Sequence, residues 1–114
     1  DEVEYSNKEV VSRALMWGSV DVFLSDKKFS KKEQEIFKKN FGDKSTESIV
    51  SLIKISNPKS IQDKINTTLD EASKLLKKDK EKIVNELTKL LKIVDGDKKI
   101  AENAIKKIKT SLKL

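Results

Sequence analysis

The stretch SDKKFSKKE, Ser25 to Glu33, separates two runs of apolar residues at helical spacing, and DGDKKIAEN, Asp95 to Asn103, echoes it near the other end of the chain. Each places an acidic turn after an apolar helical run, then one large apolar residue, Phe29 or Ile100, then the start of a new helix. Asp26-Lys27-Lys28-Phe29-Ser30 lies over Asp97-Lys98-Lys99-Ile100-Ala101, a weak internal repeat. Ser30 and Glu33 have the spacing of a capping box, in which each side chain satisfies a backbone N–H of the other residue at a helix start. That predicts a helix from Lys31 to Phe41, with Ile36, Phe37 and Phe41 inward and Gly42 as its stop.

Upstream, Ser6 and Glu9 form a second capping-box pair, followed by Val10, Val11, Ala14, Leu15, Trp17, Val22 and Leu24 at helical intervals. A helix of about five turns ending near Leu24 is predicted. Asp21 falls at the centre of its apolar stripe, and Gly18 on an adjacent arc leaves room for another helix to approach. Downstream, a short helix after Ser45 uses Ile49, Leu52 and Ile53 and stops at Asn57-Pro58, since a residue before proline avoids helical dihedrals. Pro58 suits the first position of a fourth helix, carried by Ile61, Ile65, Leu69, Ala72, Leu75 and Leu76. Asp79 reads as the N-cap of a fifth helix with Ile83, Leu87, Leu90, Leu91 and Val94, which Gly96 ends. No Gly or Pro enforces the break before it, so one long helix is the alternative. The sixth carries Ile100, Ala104, Ile105, Ile108 and Leu112. No segment alternates with period two. The expected fold is all-α: one domain, residues 1–114, a compact bundle of about six helices built as two imperfect repeats with acidic turns between helices.

The 114 residues suffice for a single core. With no cysteine and no histidine, disulfides, thiolate and imidazole chemistry and the ligands zinc prefers are excluded, so a metal site would be built from oxygens. Charged residues make up 39% of the chain, the net charge is +6, and Arg13 is the one arginine. Lysine attracts phosphate as a point charge but lacks the fork that reads bases or holds phosphate bidentately. Aromatics at 5% stand mostly at core positions, leaving no stacking platform for single strands. Nucleic acid is therefore not an expected partner, and membrane contact is expected only through an attached segment or weak electrostatics. The apolar runs are far shorter than a bilayer-spanning helix needs. The chain starts at Asp1 without a signal-like stretch, which favours a domain excised from a longer protein, in the cytoplasm or as the soluble part of a membrane-associated one. No glycine-rich phosphate loop or nucleophile-and-base constellation stands out, so the domain is expected to be non-catalytic.

Helix, acidic turn, large apolar residue, helix, twice over, resembles the TerB-like family of tellurite-resistance-associated domains. Its usual form is an apolar helix ending in Asp-Gly, an Ile or Val two residues on, and a Glu about four beyond. The first turn keeps Asp26, Phe29, Ser30 and Glu33 but has Lys27 where the family often has Gly. The second keeps Asp95-Gly96 and Ile100, with extra residues between them and Ala104 in place of the final Glu. The resemblance implies an accessory or stress-response binding module with an acidic surface between its turns, suspected of holding a divalent metal, and often fused to a larger, membrane-associated partner.

An EF-hand is rejected: Val22 and Leu24 stand where early carboxylate ligands belong, and Lys27 replaces the required Gly. The metal candidate is a composite oxygen site of Asp21, Asp26 and Glu33 with Asp95 or Asp97, suited to magnesium or calcium. Against it, Glu33 has a capping box to close, and Asp26, Asp95 and Asp97 each have a turn to fix. Asp21 is different, because a carboxylate on an apolar stripe is costly unless paired or hydrogen-bonded; it is expected to pair with a lysine, to cap a neighbouring helix terminus or to face the acidic turns. The alternative is a protein-interaction or regulatory domain without metal, whose groove between helix pairs receives a partner peptide.

Overall fold

Most helix starts and stops follow from local chemistry in the computed structural model, which describes residues 6–55, 58–94 and 96–114. α1 (Asn7–Phe23) starts at Ser6, whose Oγ accepts from the Glu9 N–H at 3.3 Å, half of the anticipated box. α2 (Lys31–Phe41) starts on the full box, with Ser30 N donating to Glu33 Oε1 at 3.0 Å and Glu33 N to Ser30 Oγ at 3.1 Å. Gly42 ends α2 and opens α3 (Asp43–Lys54) with φ of 90°, a left-handed conformation that glycine adopts without a Cβ penalty. α4 (Pro58–Ala72), α5 (Lys77–Lys89), a 3-10 turn at Leu90–Lys92 and α6 (Lys98–Ser111) complete the chain, with no strand among the described residues. The all-α, six-helix expectation holds.

The third helix begins at Asp43 rather than after Ser45, with Gly42 before it, and three later boundaries also differ from expectation. The fourth helix does not run to Leu76 and Asp79 does not cap the fifth. α4 ends at Ala72, where the N–H groups of Lys74 and Leu75 turn back to the carbonyls of Glu71 and Ala72. The bend tucks Leu75 into the core and leaves Leu76 extended, 71% exposed, as the residue before α5. Asp79 sits in the first turn of α5, where its charge complements the helix dipole. Nor does Gly96 end the fifth helix, since α5 stops at Lys89 and tightens into the 3-10 turn.

α1 is the central element. Trp17 to Val20 and Val22 to Phe23 are all buried, so its C-terminal half is covered on nearly every side by α4, α5 and α6, with α2 at its end. Ser19 is tolerated there because its Oγ donates to the Leu15 carbonyl at 2.6 Å. Gly18 faces α5 so closely that a Cβ would stand 2.8 Å from Leu87 Cδ1, which is why these axes approach. Phe37, Ile83, Leu87, Ile108 and Leu112 close the core, each contributing about 1.5–3 kcal/mol by burial. Arg13 on α1 reaches Glu71 on α4 at 3.1 Å. Among the described residues no helix is long and apolar enough to cross a membrane.

Candidate functional site

In the first turn, Lys27 donates its N–H to the Leu24 carbonyl at 2.8 Å and has φ of 65°, in the left-handed region. Asp26 Oδ1 accepts from Lys28 N at 3.0 Å, bracing that bend. Phe29 then folds back, its ring stacked 6.0 Å from Phe23 and edge-on to Phe37 at 5.9 Å, so the turn is pinned to the core by aromatic contact. In the second turn Asp97 is the N-cap of α6 and accepts from Lys99 N at 2.8 Å.

The fold brings the two turns together. A Cβ built on Gly96 would overlap the Asp26 carboxylate, so the side chain of the first turn lies against the bare backbone of the second. That gives Gly96 its role, as close approach rather than helix termination. The other candidates do not converge in the same way. Glu33 is buried and its Oε1 is engaged in the capping box; Asp26 and Asp97 each spend an oxygen on their own turns. Asp95 lies outside the described residues. Among the described residues no three carboxylates form a cluster able to hold a metal ion.

Asp21 points elsewhere. It lines an open groove of about 1160 Å³ whose walls are the end of α1, α4 and α6, with Ile61, Ile65 and Leu69 of α4 on one side and Ile100, Ala104 and Ile108 of α6 on the other. Burial pushes its carboxyl above the ordinary 3.8, and the positive charge of Lys107 pulls in the opposite direction. The lysine anticipated beside Asp21 is thus present as an electrostatic neighbour. Lys27 of the first turn stands on the same groove, with Lys106 and Lys107 along α6, while Gln62, Asn66 and Asn103 supply neutral polar groups.

The echo of the first turn in the second breaks at its large apolar residue. Phe29 is folded into the core, but Ile100, its counterpart, is 41% exposed and lines the groove. Helical spacing assigns Ile100 to the core and does not identify the groove. The one signal in the sequence is Asp21, a carboxylate on the apolar arc of α1, which lines this groove. Trp17, by contrast, is core as expected, with Lys64 Nζ 5.7 Å from its ring centre.

Comparison with models of known families, with curated proteins and with solved structures gave no match to this chain. What the fold and site define is a small all-α domain with a wide, mixed apolar and basic groove and two acidic turns set side by side.

Proposed function

We propose that this domain is a non-catalytic binding module whose working surface is the groove between α1, α4 and α6, where it receives an apolar segment of another protein or of a larger protein to which it is joined. The observation that carries this reading is the groove itself: apolar walls from two helices, with Ile100 left exposed at its edge and Asp21 within. The other apolar side chains of α4 and α6 in those walls are buried, so Ile100 carries the exposed apolar area, a cost that a binding partner removes. The module acts in the cytoplasm or as the soluble part of a membrane-associated protein.

A TerB-like accessory role, with its association to tellurite resistance and stress response, is the family form of the same proposal. Two observations support it: Lys27 is left-handed where those domains often have glycine, and the two turns adjoin at Asp26 and Gly96. A divalent ion between the turns is the second reading, and it rests on that adjacency alone.

Panning a displayed library of random helical peptides against the domain tests the proposal. The expected winners share apolar residues at three- and four-residue spacing and shift the amide resonances of α4 and α6. Winners without that spacing, or shifts confined to the core of α2 and α3, would refute it. Titrating magnesium or calcium while recording the same spectra tests the second reading, which predicts shifts at Asp26 to Lys28 and Gly96 to Lys99.

A further inference from the structure

Three features of the groove select the kind of segment it takes. Its walls are helices, and no strand among the described residues offers an edge to an extended peptide. No aromatic ring among the described residues lines it, which removes the usual platform for proline-rich ligands. That leaves helix-in-groove binding, and the groove's run along α6 from Ile100 to Ser111 is about 16 Å at helical rise, the length of about three turns.

Charge narrows the class further. Lys27, Lys106 and Lys107 are exposed along the groove, and the only carboxylate lining it among the described residues is Asp21, half-buried inside. A segment crossing the groove therefore meets a concave apolar strip, in which Ile100 is exposed and the other apolar side chains of α4 and α6 are nearly buried, bordered by lysines. A bilayer would reach those lysines but not the concave strip between them, so the match is to a protein segment rather than to a lipid surface.

We infer that the groove accepts an acidic amphipathic helix of a partner protein, about three turns long, with apolar residues at three- and four-residue spacing set against Ile100 and the apolar floor beside it, and with Glu or Asp facing Lys27 and Lys106. This assignment rests on the groove being the working surface.

Two stapled helical peptides with the same leucine face, one flanked by glutamates and one by lysines, carry the test, with fluorescence anisotropy as the readout on the whole chain. The glutamate peptide binds at least about tenfold more tightly at low ionic strength, the sum of a few exposed charge contacts. That advantage collapses in about 1 M salt, where screening acts over about 3 Å. Lys27→Glu with Lys106→Glu inverts the preference, and Lys27→Gln with Lys106→Gln erases it, a second route should the charge reversal fail to fold. Ile100→Asp weakens both peptides.

Equal binding of the two peptides, sensitive to Ile100→Asp but not to the lysine changes, overturns the acidic partner and leaves the groove reading intact. Binding of neither peptide overturns both. Binding to phosphatidylserine vesicles that survives Ile100→Asp but is lost on lysine neutralisation, with no glutamate-peptide binding, assigns the lysines to a membrane and overturns the inference.

Discussion

Replacing Gly18 with alanine sets two effects of known size against each other. In an exposed helix the change stabilises by about 1 kcal/mol, because alanine restricts the unfolded backbone. Here the new methyl would stand 2.8 Å from Leu87 Cδ1 and 3.2 Å from Cδ2. Carbon atoms at rest keep about 3.5–4.0 Å, so the Leu87 side chain or α5 itself has to give way by more than half an ångström. Leu87 is fully buried, and inserting one methyl into a packed core costs about 1–3 kcal/mol. The clash outweighs the propensity gain, and Gly18→Ala is expected to lose on the order of 1 kcal/mol. For a chain of this length that lowers the melting temperature by about 4 °C, measured by circular dichroism. Leu87→Ala alone costs about 2–5 kcal/mol through its cavity. In the double variant the methyl introduced at position 18 fills part of that cavity, so the two losses sum to less than their separate values, with a coupling of about 1 kcal/mol. A Gly18→Ala protein more stable than the parent, with no coupling to Leu87, would refute the close approach of α1 and α5.

Lys27→Gly is expected to raise stability by about 0.5–1 kcal/mol in urea unfolding, because a left-handed φ of 65° penalises a side chain; a loss would show that the turn is not left-handed in solution. Gly96→Ala should destabilise by driving its methyl into the Asp26 carboxylate, and Asp26→Ala in the same chain should recover part of the loss. No recovery would mean that the two turns do not touch. Asp21→Asn tests the buried carboxyl by pH. Its folded pKa is raised, so the native state holds the proton more tightly than the unfolded chain, and the parent loses stability as pH climbs from 3.8 through the folded value. The asparagine variant should therefore be more stable than the parent at pH 7 and lose that advantage below the unfolded pKa of about 3.8, as read from melting curves across pH. An advantage independent of pH would exclude the proposed burial.

How far the sequence can be read depends on the range of the forces involved. The Ser30 and Glu33 box and the stop at Gly42 involve partners close in the chain, and both form as the spacing implies; Asp97, read as fixing a turn, caps α6. The break after the fourth helix falls earlier than the spacing implies because no glycine or proline enforces it. What sets it is the burial of Leu75 while Leu76 turns to solvent, a choice made by neighbours distant in the chain. The candidate site was legible only in part. The adjacency of the two turns at Asp26 and Gly96 follows the anticipated repeat, but Glu33 and Asp97 are occupied with their own helix starts, and Asp21 faces a different surface.

Ile100 shows where that limit lies. Its spacing with Ala104 and Ile108 determines a helix and one apolar face, since periodicity is a property of neighbouring residues. Whether that face is covered depends on the number of helices that reach it. α4 and α6 pack on α1 and touch each other, which buries Ile65, Leu69, Ala104 and Ile108; Phe29 is capped by Phe23 and Phe37, while Ile100 remains exposed at the edge of an open groove. The sequence by itself determined the six helices, the Ser30 and Glu33 box and the turn that follows α1. Only the tertiary structure decided that the turns meet through a glycine and that Ile100 stays exposed on the groove Asp21 lines, because burial is a sum over the whole fold rather than over one stretch of chain.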